Sequence, residues 1–142
     1  MPKADTTERP EAPVGAVVIR GLGIDLLETH RLARALSAHG DRFERRVFTE
    51  RELADCERRG DRVQALAARF AAKEACLKAL GTGWSEGLAF RQVEVERSGN
   101  GKPTILLHGA AAERARALGV ARVHVSLTHQ PGTAAAVVIL EG

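Results

Sequence analysis

Two carboxylates, a run of cations and a pair of histidines are the residues whose types and spacing can do chemistry in this chain. Asp25 follows an apolar stretch in GLGID, where flanking glycines let other groups approach the backbone closely. A carboxylate at a strand end is a common position for a metal or phosphate site, because magnesium takes oxygen ligands on rigid elements. The alternative is a turn aspartate bonding its own backbone. Glu74 falls beside Phe70 and Leu77 in a helical pattern, so its carboxylate would be partly desolvated and would need a metal, or Lys78 one turn on. Against that stands an ordinary surface pair of Glu74 and Lys78, worth a few tenths of a kcal/mol. Arg69, Lys73 and Lys78 occupy neighbouring positions of the same helix and can each neutralise a phosphate oxygen, or else form a solvated basic face. Gly81, Thr82 and Gly83 offer backbone amides to a phosphate, or a helix C-cap and turn. In VHVSLTHQ, alternation sends His124, Ser126 and Thr128 to one face, with Val123, Val125 and Leu127 on the other. His129 falls where that strand ends, in a structural or a catalytic role, and has no zinc spacing to either cysteine.

The elements that must position these groups are legible from periodicity. The run AVVIRGLGIDLLE, from Ala16, predicts a buried strand ending in a turn. Thr29 caps a helix to about Ala38, which Gly40 ends; Leu32, Ala35 and Leu36 form its apolar stripe, and Arg31 and Arg34 lie on another side. TERE, from Thr49, is a capping box for a second short helix. The longest periodic segment, residues 63–80, carries Val63, Leu66, Phe70, Leu77 and Leu80, and Gly81 stops it. Where its next apolar residue is due, Lys73 and Glu74 stand instead. Strands are predicted at 92–96 and 104–107 around the hairpin signal SGNGKP, a helix over 110–118, and strands at 123–128 and 134–140 around QPG. The order β-α-α-α-β-β-α-β-β predicts a single α+β domain with helices packed on a mainly antiparallel sheet. Residues 1–15 hold three of the five prolines without periodicity and read as a disordered leader or tag remnant, leaving 16–142 as the domain.

Composition narrows the function. A chain of 142 residues with 44% hydrophobic and 27% charged residues is one globular domain. No apolar run approaches a bilayer span, so no membrane role is expected, and the absence of a signal-peptide pattern gives a cytoplasmic expectation. Cys56 and Cys76 fit neither a disulfide framework nor a zinc set and read as free thiols. A net charge of +3, no tyrosine and the lone Trp84 argue against a nucleic-acid partner, but permit an acidic partner or a phosphorylated ligand.

Taken in order, GLGIDLLETHRL, FTERE, LAARFAAKEACLKALGTG, NGKP, HVSLTH and AAAVVILE resemble the holo-[acyl-carrier-protein] synthases. These form the short, single-domain branch of the 4′-phosphopantetheinyl transferase superfamily, and the likeness runs from about Val17 to Glu141. The resemblance implies that Asp25 and Glu74 hold magnesium against the pyrophosphate of coenzyme A, with waters filling the remaining sites. It places Lys78 near the phosphates, Arg69 and Lys73 in the same region, and His129 close to the coenzyme A pocket. It assigns Gly81, Thr82 and Gly83, and the turn Asn100, Gly101, Lys102, Pro103, to the nucleotide's frame. Arg31, with Arg34 beside it, is implied as a docking surface for the acidic acyl carrier protein. The implied reaction is attack of a carrier serine on the β-phosphate, with Glu74, directly or through a water, taking the proton ahead of His129, and Lys78 assisting. The branch assembles as homotrimers with sites between subunits, and the same is expected here. Two positions depart from relatives: Leu27 stands where two-lobed transferases carry an acid, and Gln130 where some short-branch members do. The rival readings are a magnesium-dependent nucleotide-diphosphate hydrolase using the same residues and a non-catalytic carrier-binding module.

Overall fold

The computed structural model describes residues 15–81, 88–97 and 99–142. The expected leader over 1–15, save its last residue, and Thr82 and Gly83 lie outside the described residues. The chain runs β1 (Ile19–Glu28), α1 (Thr29–Val47), α2 (Glu50–Glu57), α3 (Arg62–Leu80), a single 3₁₀ turn (Phe90–Gln92), β2 (Val93–Arg97), β3 (Pro103–Leu107), α4 (Gly109–Ala117), β4 (Arg122–Gln130) and β5 (Thr133–Glu141). That is the predicted α+β order.

The strands make two antiparallel sheets rather than one: β1-β5-β4, and the β2-β3 hairpin. In the larger sheet β5 is central, with Asp25 of β1 and Leu127 of β4 both opposite Ala136. Helix α3 is the core of the molecule. It is buried on nearly every side, from Leu66 to Leu80, which is why its apolar pattern is broad rather than a single stripe. Its approach to β1 is set by small residues on both partners. A Cβ added at Gly23 would collide with the Ala75 carbonyl oxygen, and one at Gly21 with that of Ala79. Glycine on the strand and alanine on the helix thus let backbone meet backbone, and carry Asp25 to the helix that bears Glu74 and Lys78.

Local signals explain most boundaries. Thr49 caps α2 with the full reciprocal box, Glu52 N to its hydroxyl at 3.3 Å and Thr49 N to Glu52 Oε1 at 2.9 Å. Asp61 caps α3 through Gln64 N at 3.0 Å, and Gly81 ends it with a left-handed φ of 80°. In the β2–β3 turn, Asn100 Oδ1 accepts from Lys102 N at 3.0 Å, and Gly101 takes a φ of 80°.

Three expectations are corrected. Thr29 is not a cap: Glu28 holds that position without a side-chain bond, and Thr29 N instead donates to Gly132 O at 3.0 Å. Gly40 interrupts α1 with a φ of 51° but does not end it, and the helix resumes to Val47. The strand β1 is buried on one face alone; Leu22, Ile24 and Leu26 are 63%, 67% and 73% exposed. Among the described residues, no helix is long and apolar enough to cross a membrane.

Candidate active site

A cleft of about 450 Å³ opens between β1, α1 and α3. Asp25 enters it from the inner face of β1, and Glu74 and Lys78 from successive turns of α3. Lys78 Nζ donates to Asp25 Oδ1 at 3.0 Å and to Ile24 O at 3.1 Å, bridging helix to strand at the point where Gly23 allows close approach. The facing wall is α1, with Arg31, Leu32 and Ala35, and Phe43 and Phe70 complete the apolar part. Phe70 is itself held by Phe90, their rings 5.1 Å apart. Arg34 is exposed on α1 outside this lining.

Glu74 carries the chemical signal. Burial, with the Asp25 carboxylate beside it, pushes its carboxyl above the usual range, and Lys78 offsets this only in part. No ion pair or hydrogen bond among the described residues holds its carboxylate. Two partly desolvated carboxylates flanked by one ammonium are a hard-oxygen donor set. They fit a magnesium ion, which is ordinarily bound through one or two carboxylates and keeps several waters. Among the described residues no group of three or more His, Cys, Asp or Glu side chains is placed to hold a metal ion.

Lys73 does not join this cleft, and that expectation is corrected. It neighbours Glu74 in sequence, but helical geometry turns the two about 100° apart. Lys73 is fully buried, its Nζ donating to Glu52 Oε1 at 2.6 Å, Val93 O at 2.6 Å and Phe90 O at 3.1 Å. It also lies 5.6 Å from the centre of the Phe48 ring. Glu52 completes the network by accepting Val95 N on Oε2 at 3.0 Å. Burial lowers the Lys73 ammonium, and Glu52 opposes that shift. Both partners are saturated with hydrogen bonds, so the pair ties α2, α3 and β2 together and leaves nothing for a phosphate.

Arg69 is also away from the cleft. Its side chain is 1% exposed, bonded to Asp55 and to Ala65 O at 3.2 Å, and it faces a second concavity with His129. The turn from Asn100 to Pro103 connects to that side through Arg97, whose guanidinium donates to Gly101 O at 3.2 Å. Gly81 caps α3 one turn beyond Lys78, and Arg114 Nε donates to Leu80 O at 3.1 Å beside it. The proposed residues therefore fall into two groups. Asp25, Glu74, Lys78 and Arg31 lie on the β1 side, whereas Arg69 and His129 lie on the β4 side, and β5 separates those edges of the sheet. Sequence reasoning missed Arg59 and Arg97, which line the second concavity, because nothing local distinguishes them from solvated arginines.

A family model described as the 4′-phosphopantetheinyl transferase superfamily matches residues 21–136. The holo-[acyl-carrier-protein] synthase of Methylobacterium radiotolerans is 52% identical over 128 residues, spanning 87% of this chain and 94% of that protein. The chain belongs to the holo-[acyl-carrier-protein] synthase family. Its fold agrees. The crystal structure of the Neisseria meningitidis holo-[acyl-carrier-protein] synthase superposes with a TM-score of 0.81 at 34% identity, covering 88% of this chain and all (100%) of that one. The Helicobacter pylori holo-[acyl-carrier-protein] synthase, in complex with coenzyme A, gives 0.75 at 28% identity over 84% of this chain and 98% of that one. Asp25, Glu74 and Lys78 all lie inside the residues that the family model matches.

Proposed function

We propose that this chain transfers the 4′-phosphopantetheine group of coenzyme A to a serine of an apo acyl carrier protein. The observation that carries the reading is the cleft in which Asp25, Glu74 and Lys78 converge beneath an apolar wall. The serine oxygen forms a bond to the β-phosphorus while the bridging P–O bond to the nucleotide breaks, releasing adenosine 3′,5′-bisphosphate. Asp25 and Glu74 would hold a magnesium ion, whose chemistry when bound is to offset charge on the pyrophosphate oxygens. Lys78 fixes Asp25 and supplies a further positive charge at the mouth of the cleft. Glu74, directly or through a water, takes the serine proton. His129 ranks behind it, because on this chain it opens onto the other concavity. Arg31, at the lip of the cleft, and exposed Arg34 give an acidic carrier a docking surface.

The nucleotide end of coenzyme A is assigned to Arg69, His129 and the Asn100–Pro103 turn, as the resemblance implies. Arg69 and His129 face the β4-side concavity and the carboxylates the β1-side cleft, so in this reading one chain holds two halves of a site. A head-to-tail ring of copies brings one chain's β1 side to its neighbour's β4 side and completes the site at each interface. The same association would cover Leu22, Ile24 and Leu26, an apolar sheet face too exposed to be left in water. A homotrimer is the proposed closed form.

Product analysis tests the reaction. With apo carrier protein, coenzyme A and magnesium, adenosine 3′,5′-bisphosphate should appear in step with a modified carrier serine. Nucleotide release with free phosphopantetheine and an unmodified serine would replace transfer with hydrolysis.

A further inference from the structure

Lys78 leaves the last turn of α3, and its ammonium reaches β1 because Gly21 and Gly23 let the two backbones meet. There it donates to Ile24 O at 3.1 Å and to Asp25 Oδ1 at 3.0 Å. An ammonium carries three donors, so a third remains for a ligand. The two partners differ in their freedom. The Asp25 side chain is 15% exposed and held in the cleft, whereas that of Lys78 is 54% exposed, with its flexible stem able to swing into solvent. Glu74 is the second carboxylate of the cleft; burial and Asp25 raise its carboxyl, and Lys78 opposes them. The cleft therefore sets two carboxyl groups against a single ammonium, and that ammonium already sits on one of them. A metal ion drawn to Asp25 meets a like charge at the same oxygen.

We propose that Lys78 competes with the divalent cation for Asp25 until coenzyme A draws its ammonium away, so that metal and coenzyme A bind synergistically. This rests on the reading of Asp25 and Glu74 as magnesium ligands and of coenzyme A as the donor, and goes beyond it by giving Lys78 a second partner and a switch between the two. The pyrophosphate offers charged acceptor oxygens, which a compact ammonium binds as a point charge from any side. Turning towards them takes Lys78 off Asp25 Oδ1 and Ile24 O, and relieves the repulsion that an entering cation would feel. An ammonium suits this switch better than a guanidinium, whose planar fork would grip Asp25 with two bonds. The coupling is reciprocal: whatever factor coenzyme A adds to the metal's affinity, the metal adds to that of coenzyme A.

The test is binding of manganese(II), which takes the same oxygen-rich octahedral sites as magnesium, followed by the electron paramagnetic resonance signal of the free ion. The unaltered protein, Lys78→Met and Lys78→Arg are each titrated alone and with saturating coenzyme A, against coenzyme A without protein as the blank. In the absence of coenzyme A, Lys78→Met should bind the ion at least about 5-fold more tightly than the unaltered protein, because a repelling charge has left Asp25. Lys78→Arg keeps that charge and should bind no more tightly than the unaltered protein. Coenzyme A should tighten the ion's binding by a larger factor in the unaltered protein than in Lys78→Met. Unchanged or weaker binding by Lys78→Met alone would overturn the competition, and an equal gain in Lys78→Arg would overturn its electrostatic cause. If Lys78→Met does not fold, Lys78→Gln carries the same comparison, with the same contradicting outcome. Failure of the metal reading itself looks different: Asp25→Asn and Glu74→Gln would then bind the ion as well as the unaltered protein does, with or without coenzyme A, and the proposal would fall with it.

Discussion

Glu74 and Lys73 are adjacent in sequence and opposite in role. Glu74 meets the cleft with an unpaired, partly desolvated carboxyl, while Lys73 is consumed by Glu52 and two backbone carbonyls. The first prediction concerns Glu74→Gln. Turnover should fall at least ~100-fold if Glu74 holds the metal and takes the proton. Stability should move the other way. A carboxyl raised in the fold contributes stability below the ordinary glutamate value, and loses it as pH rises through the folded value. Glutamine mimics the protonated form, so the metal-free variant should unfold at a temperature no lower than the unaltered protein at neutral pH. A lower unfolding temperature would mean that the charged form is favoured instead. Lys73→Ala should behave oppositely, costing about 3–5 kcal/mol by stranding Glu52 in the interior. Denaturant unfolding measures this, and a loss below about 1 kcal/mol would show that the pair is dispensable.

At the scale of elements, the decisive contact is α3 on β1. Gly23→Ala should force the helix off the strand, since the new methyl would occupy the space of the Ala75 carbonyl. Overpacking of this kind costs about 1–3 kcal/mol, and transfer should fall with it because Asp25 separates from Lys78. Unaltered stability and activity would show that the approach is looser than it looks. Much of this level was legible in the sequence. The TERE box, Gly81 after the long helix and NGKP between two short strands are local signals, and local hydrogen bonds satisfy them in the structure. The glycines around Asp25 were legible too, as a demand for close approach. What could not be read were choices among faces. Alternation shows that Leu22, Ile24 and Leu26 share a side of β1, but does not say whether that side meets a helix, water or another chain. In a helix buried nearly all round, the side away from the cleft is also interior, so Lys73 looked like a neighbour of Glu74 when it belonged to Glu52. Arg97 depended on a contact between β2 and α3 that no spacing along the chain encodes.

At the scale of the whole molecule, the proposed site is divided between two concavities of one chain. The two groups of side chains proposed for it lie toward opposite edges of the β1-β5-β4 sheet, and an apolar face of β1 is exposed beside them. Subunit complementation addresses this. Glu74→Gln chains keep the β4-side group, and chains carrying His129→Ala keep the β1-side group. Mixed oligomers of the two should recover transfer at low coenzyme A, because some interfaces unite intact halves. A mixture no more active than its components would place the entire site within one chain. The central claim is the transfer itself, and intact mass spectrometry of an apo acyl carrier protein tests it most directly. After incubation with this protein, coenzyme A and magnesium, the carrier should gain one phosphopantetheine unit, and EDTA should abolish the gain. An unchanged mass across several fatty-acid and polyketide carriers would contradict the transferase account.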